Sequence, residues 1–114
     1  MRIAISTKGY RGLDDEVSDE LARSRTITLI DIYGKEKGYQ LVEVIKNKAV
    51  DFSHGAGPVF AYLLLEKGVE LVVGPDIGVG VQELFNDIGI KFLKYSPKTK
   101  VRDVVNDLLR KGLN

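Results

Sequence analysis

The sequence predicts an α/β fold of three layers, a mixed β-sheet held between helices. Three observations predict it. Apolar segments of strand length alternate with segments of helical period, glycine or proline punctuates most of the boundaries, and one pair of strand-like segments is joined by a turn too short to hold a helix.

Arg2 to Thr7 opens as a short buried strand, with Ile3 and Ile5 on one face and Ala4 on the other. Lys8 to Glu16 carries Gly9, Gly12, Asp14 and Asp15 and reads as a loop. Val17 to Ser24 has Val17, Leu21 and Ala22 at helical spacing, which predicts a short helix. Thr26 to Tyr33 is apolar and β-branched, and Tyr39 to Ile45 alternates. The polar Gly34 to Gly38 turn between them makes the pair a β-hairpin.

Beyond the hairpin the period lengthens. Pro58 to Lys67 is predicted helical, with Pro58 at the first position and Gly68 just past the end. Val69 to Val73 is a short apolar strand of the kind that helices cover on both faces. Gly74 to Gly78 is a loop, Val79 to Asp87 a helix closed by Gly89, and Ile90 to Tyr95 a last strand. Thr99 is placed to cap a final helix bearing Val101, Val104, Val105, Leu108 and Leu109, ended by Gly112. The order is β-α-β-β-α-β-α-β-α, with one antiparallel strand contributed by the hairpin.

At 114 residues, with no linker, repeat or low-complexity segment, the expectation is one domain spanning residues 1–114. A hydrophobic fraction of 44% supports a real core, and 29% charged residues a solvated surface. Seventeen basic against sixteen acidic residues leave no strong field to draw nucleic acid or an acidic membrane. The absence of cysteine removes disulfides, thiolate nucleophiles and thiolate-ligated clusters. With no leader ahead of the first strand and no long apolar stretch, the expected location is the cytoplasm.

Two segments stand out from the scaffold. Ser53-His54-Gly55-Ala56-Gly57-Pro58 runs into a helix start, where glycines permit close backbone approach and free N–H groups carry partial positive charge. His54, the sole histidine, is placed to coordinate a metal or donate to an anion; the plainer reading is a tight turn that His54 decorates. Gly74-Pro75-Asp76-Ile77-Gly78-Val79-Gly80 joins a buried strand to a helix. It is a cradle for an anion or a close-packed turn, and it matches neither a Walker loop nor a dinucleotide fingerprint. Ligands of open α/β sheets sit beyond the carboxyl ends of strands. If strand one is central, Ser6 and Thr7 join His54, Gly55 and Gly57 and Gly74, Asp76 and Gly78 around one site.

Other constellations are thin. Asp14, Asp15, Glu16, Asp19 and Glu20 read as a solvated loop or as a seat for Mg²⁺ or Ca²⁺, without the spacing of an EF-hand. Phe60, Phe85 and Phe92 read as core, and Lys91, Lys94, Lys98, Lys100 and Arg102 as a solvated face.

Taken in series, several segments resemble the dinitrogenase iron–molybdenum cofactor biosynthesis family, which includes NifX-like proteins and the C-terminal region of NifB-like ones. The opening Met1-Arg2-Ile3-Ala4-Ile5-Ser6 is similar to the family's start, and Val17-Ser18 with Arg23 to its "VSxHFGRA" segment, followed by a strand ending in Asp31. His54-Gly55-Ala56-Gly57-Pro58 resembles "HGAGP/I", Gly74-Pro75-Asp76-Ile77-Gly78 resembles "GGIG", and Gly89-Ile90-Lys91 resembles "GIK". The resemblance implies a ribonuclease-H-like motif: a five-stranded mixed sheet of order 3-2-1-4-5 with strand two antiparallel. It also implies binding or carriage of iron–sulfur cofactor precursors without chemistry on them. One departure bears on the cargo. Where the family often has His-Phe-Gly, this chain has Glu20-Leu21-Ala22.

The resulting expectation is a non-catalytic binder or carrier of an iron–sulfur or iron–molybdenum-type cluster, or of a small anion. His54 would be metal ligand or hydrogen-bond donor, backbone N–H groups near Gly55, Gly57 and Gly78 the cradle, and Ser6 and Thr7 the rim. Its partners would be that ligand and proteins of cofactor assembly, with neither nucleic acid nor membrane. An interaction module, paired as a homodimer through the hairpin's edge, is the alternative. A metal-dependent nuclease would need carboxylates converging on two ions, and only Asp31 and Asp76 stand at strand ends outside the acidic loop.

Overall fold

The computed structural model describes residues 1–112. Five strands, β1 (Arg2–Thr7), β2 (Thr26–Gly34), β3 (Gly38–Lys46), β4 (Leu71–Gly74) and β5 (Lys91–Lys94), form one sheet. Its order is β3-β2-β1-β4-β5, with β1 at the centre. β2 runs antiparallel to β1 and β3, while β1, β4 and β5 are mutually parallel. Three helices, α1 (Ala56–Glu66), α2 (Val79–Ile88) and α3 (Val101–Arg110), cover the sheet. The α/β sandwich and sheet order expected from the sequence are those observed.

Alternation along β1 divides the core. Ala4 faces one cluster with Leu29, Val72, Phe60, Leu64 and Phe85, which belongs to α1 and α2. Ile3 and Ile5 face the other, with Ile30, Val73, Val104 and Leu108, which belongs to α3. Phe60 and Phe85 meet across the α1–α2 contact with ring centroids 6.3 Å apart. On α3 the buried residues recur at 101, 104, 105 and 108, the i, i+3, i+4, i+7 stripe of an amphipathic helix.

The helix expected over Val17 to Ser24 does not form. Val17 packs in the α3-side core and Leu21 in the α1–α2 core, so this segment crosses from one face of the sheet to the other. Its backbone is engaged elsewhere. Val17 bridges Thr7 and donates to the carbonyl of Thr99, and Ser18 donates to the carbonyl of Ser6 at 2.8 Å. The apolar spacing of 17, 21 and 22 therefore serves two opposed faces, which periodicity alone cannot separate from one stripe.

Smaller differences have equally local causes. α1 begins at Ala56, so Pro58 stands third in the first turn, where its missing N–H is still no loss. Thr99 does not cap α3: its hydroxyl donates to the carbonyl of Ser96, and Lys100 is the capping residue. The alternation expected along β3 slips at a register shift opposite Leu29 and Ile30, and Val42 and Ile45 both pack toward the α1–α2 core. Gly68 and Gly89 do end α1 and α2 with left-handed backbone, at φ of 71° and 79°.

Candidate functional site

Strand directions fix where a site can form. α1, α2 and α3 follow β3, β4 and β5, which run parallel to β1, so all three helices start at the carboxyl edge of the sheet. From the end of β1 the chain turns toward β2; from the end of β4 it turns toward β5. The edge between β1 and β4 is thus the switch point where open α/β sheets hold their ligands.

Two helix starts stand side by side at that edge. A Cβ added to Gly57 would lie 3.0 Å from a methyl of Val81, so the first turns of α1 and α2 are in contact. Neither helix has a side-chain cap, and neither has an acidic residue in its first turn. Their first N–H groups, those of Ala56 and Gly57 in α1 and of Val79, Gly80 and Val81 in α2, have no intrahelical acceptor, and Pro58 has no N–H to offer. Both helix dipoles put positive potential in the same place. The start of α3, on the opposite face, is closed: Val101 donates to the carbonyl of Asp15, and Asp103 lies in its first turn.

The residues expected at the site fall into two layers. His54, Gly55, Asp76 and Gly78 are exposed and Gly57 is half-buried, all around the two helix starts. Gly55 caps α1 in the left-handed conformation at φ 76°. Asp76 is held loosely, its carboxylate accepting from Ile77 N–H at 3.2 Å and lying 3.9 Å from Lys94 Nζ. Ser6, Thr7 and Gly74 lie beneath, wholly buried. The Ser6 hydroxyl donates to the carbonyl of Leu21 at 3.1 Å, and Thr7 Oγ1 is 2.7 and 2.9 Å from the hydroxyls of Thr26 and Thr28. A Cβ on Gly74 would meet Leu21 Cδ1 at 2.5 Å, so this glycine serves close packing. These three support the rim and do not form it.

The support converges on residues 18–25, most of which the sequence assigned to a helix over Val17 to Ser24. Asn47, at the end of β3, is completely buried. Its side-chain nitrogen donates to the carbonyls of Ala22 at 2.9 Å and Ser24 at 2.8 Å, its backbone N–H donates to that of Arg25, and its Oδ1 accepts from Ala49 N–H. Between the two anchored residues, Arg23 projects outward, and its Nη2 donates to the carbonyls of Phe52 at 2.8 Å and Ser53 at 3.2 Å. Sequence reasoning did not assign a role to Asn47. The available signal was an asparagine at a strand end ahead of Lys48-Ala49-Val50, the pattern of an Asx turn.

The acidic loop is engaged by basic neighbours: Asp14 by Arg102, and Glu16 by Lys8 and Lys100. Burial alone would raise the pKa of Asp15, but the N–H groups of Arg11 and Glu16 with the Arg11 guanidinium outweigh it and hold the carboxyl below its ordinary value. Asp31 pairs with Arg2 at the amino end of β1, the opposite edge of the sheet from Asp76. The two strand-end acids that a nuclease centre would need to bring together are thus held apart. Among the described residues, no three His, Cys, Asp or Glu side chains gather as a metal site, and no helix is long and apolar enough to cross a membrane.

A five-stranded mixed sheet of this order with helices on both faces defines a small three-layer α/β domain. Residues 1–111 match the family model described as "Dinitrogenase iron-molybdenum cofactor", and the chain belongs to that family. Among solved structures it is similar to PH0822, at 26% identity and a TM-score of 0.82, over 100% of this chain and 94% of that one. It shares its fold with the apo form of the orange protein from Desulfovibrio gigas, at 24% identity and a TM-score of 0.80, over 96% of this chain and 88% of that one. It shares it also with a Thermotoga protein, TM1290, described as a NifB candidate of the DUF35 family, at 24% identity and a TM-score of 0.67, over 96% and 87% of the two chains. No curated protein matches the chain.

Proposed function

We propose that this protein is a non-catalytic binder or carrier of an anionic metallocluster of the iron–sulfur or iron–molybdenum type, held at the carboxyl edge of β1 and β4. The observation that carries the reading is the pair of adjoining helix starts, uncapped and free of acidic residues, in a member of this cofactor family.

The donor set narrows the cargo. Iron and molybdenum in such clusters take sulfur and nitrogen ligands, and the chain offers one histidine and no cysteine. These residues cannot build a complete coordination shell. They suit a cluster that arrives with its own sulfide or organic ligands, whose anionic edges accept hydrogen bonds from preorganised N–H groups. His54, exposed one residue ahead of the α1 cap, would add a single ligand or a further hydrogen bond. Gly57 and Gly78 would leave room for close approach, and Asp76 would set a limit on negative charge at one side. Ser6, Thr7 and Gly74 would act only by holding the floor in place.

Titration of ¹⁵N-labelled protein with tetrathiomolybdate under argon tests the location. The amides of Ala56, Gly57, Val79, Gly80 and Val81 should shift together with the His54 ring. Shifts confined to the α3 face, or none at millimolar probe, would refute the reading.

A further inference from the structure

We infer that Arg23 is a positioning residue for this site: its guanidinium latches the His54 loop to the rigid segment beneath it. The inference rests on the proposed ligand site and adds a residue that acts on it from outside.

Residues 52–55 join a short 3-10 turn (Lys48–Asp51) to α1. Among the described residues, the hydrogen bonds that tie this stretch to a distant part of the chain are the two from Arg23 Nη2, to the carbonyls of Phe52 and Ser53. The remaining bonds are local, Phe52 N–H to Ala49 and Val59 N–H to the carbonyl of Gly55. His54 and Gly55 follow directly on the latched carbonyls, and Gly55 sets the direction of α1. A loop released from Arg23 would leave His54 and the first N–H groups of α1 free to sample other orientations, at an entropic cost to any ligand that needs them fixed.

The base of the latch is rigid. Asn47 holds the carbonyls of Ala22 and Ser24 on either side of Arg23, and Leu21 lies against Gly74 at the end of β4. One short segment therefore ties the ends of β1 and β4 to the loop that carries the histidine. Arg23 itself is exposed, so its replacement leaves the core untouched. One guanidinium nitrogen, Nη2, serves both carbonyls, and the ammonium of lysine, on a shorter and more flexible stem, can replace it only in part.

The full chain carrying Arg23→Ala or Arg23→Lys is compared with the wild type by ¹⁵N relaxation without ligand and by tetrathiomolybdate titration. Wild-type amides of residues 53–55 should show order parameters of about 0.8, falling below about 0.6 in Arg23→Ala, with β1 and β4 unchanged. Affinity for tetrathiomolybdate should fall by about tenfold, and Arg23→Lys should recover part of both effects. Unchanged order at 53–55 in Arg23→Ala overturns the latch. Lost order with undiminished affinity overturns its role in the site. If the wild type binds no tetrathiomolybdate and the loop still loosens, the latch stands and the cluster reading falls, which separates the two failures.

Discussion

Asn47 makes five hydrogen bonds at zero exposure, and three of them reach back to residues 22–25. Replacing it with alanine would leave the buried carbonyl of Ser24 and the half-buried carbonyl of Ala22 without their donor. Each such loss costs roughly 1–3 kcal/mol, so Asn47→Ala should destabilise the fold by about 2–4 kcal/mol in urea denaturation. A loss below about 0.5 kcal/mol would mean that water replaces the amide and that the segment is less fixed than its geometry indicates. At this scale the sequence was partly legible. Phe60 and Phe85 could be assigned to the core because apolar bulk at helical spacing has one common use. Ser6 and Thr7 were expected at the rim, because a hydroxyl at a strand end reads alike whether it faces a ligand or a neighbouring carbonyl. What decides between them is the partner: Leu21 lies in a segment that local pattern could not place, and Thr26 and Thr28 meet Thr7 only through the pairing of β2 with β1.

The helix starts carry the argument at the scale of elements. Proteins stabilise helices with Ser, Thr, Asp or Asn caps and acidic first turns, yet α1 and α2 begin with bare glycine caps. Gly78 has φ −76° and ψ 159°, a conformation open to any residue, and nothing crowds a Cβ there. Gly78→Asp should therefore cap α2 and raise stability by about 0.5–1 kcal/mol, read as an increase in Tm. The same carboxylate would occupy the N–H groups proposed for the ligand and add negative charge, so tetrathiomolybdate affinity should drop by more than about tenfold. A more stable protein that binds as well as the wild type would remove the α2 start from the site. Gly55 and Gly78 were visible in the sequence as glycines before helices, and the hairpin and both left-handed helix ends followed from turn chemistry and alternation, whereas the strand order was implied by the family resemblance. The segment 17–24 was not legible, because residues that pack on opposite faces of a sheet can mimic one helical stripe.

Over the whole molecule, ionisable groups set the pH range of the fold. The Tyr95 hydroxyl donates to Asp107 at 2.6 Å, with Arg110 and Lys111 also in contact, and these partners hold the Asp107 carboxyl far below its usual range. Arg2 lowers Asp31 in the same way, and Asp15 is lowered by its backbone donors. Carboxylates with depressed folded values stabilise the protein fully above the unfolded value of about 4, and that contribution is lost as pH falls through the folded values. Burial first, and then Asp107, push Tyr95 up to about 12. Its contribution is complete below the unfolded value of about 10 and is lost as pH rises toward 12. A Tm profile should be flat between about pH 5 and 9 and fall on both sides, with Tyr95→Phe removing much of the alkaline fall. An alkaline limb unchanged in Tyr95→Phe would place its origin in another group.

The same scale shows what family membership conveys. The family match extends over residues 1–111, whereas the donor set is this chain's own: no cysteine, and a single histidine at position 54. The central claim, that the edge between β1 and β4 holds a preformed anionic cluster with His54 beside it, is tested most directly by metal and visible-spectrum analysis of protein purified without oxygen, wild type against His54→Ala. Bound iron or molybdenum with a charge-transfer band, lost or weakened in His54→Ala, is the result expected. Colourless, metal-free protein in both, unchanged after anaerobic reconstitution with iron and sulfide or with thiomolybdate, would contradict it.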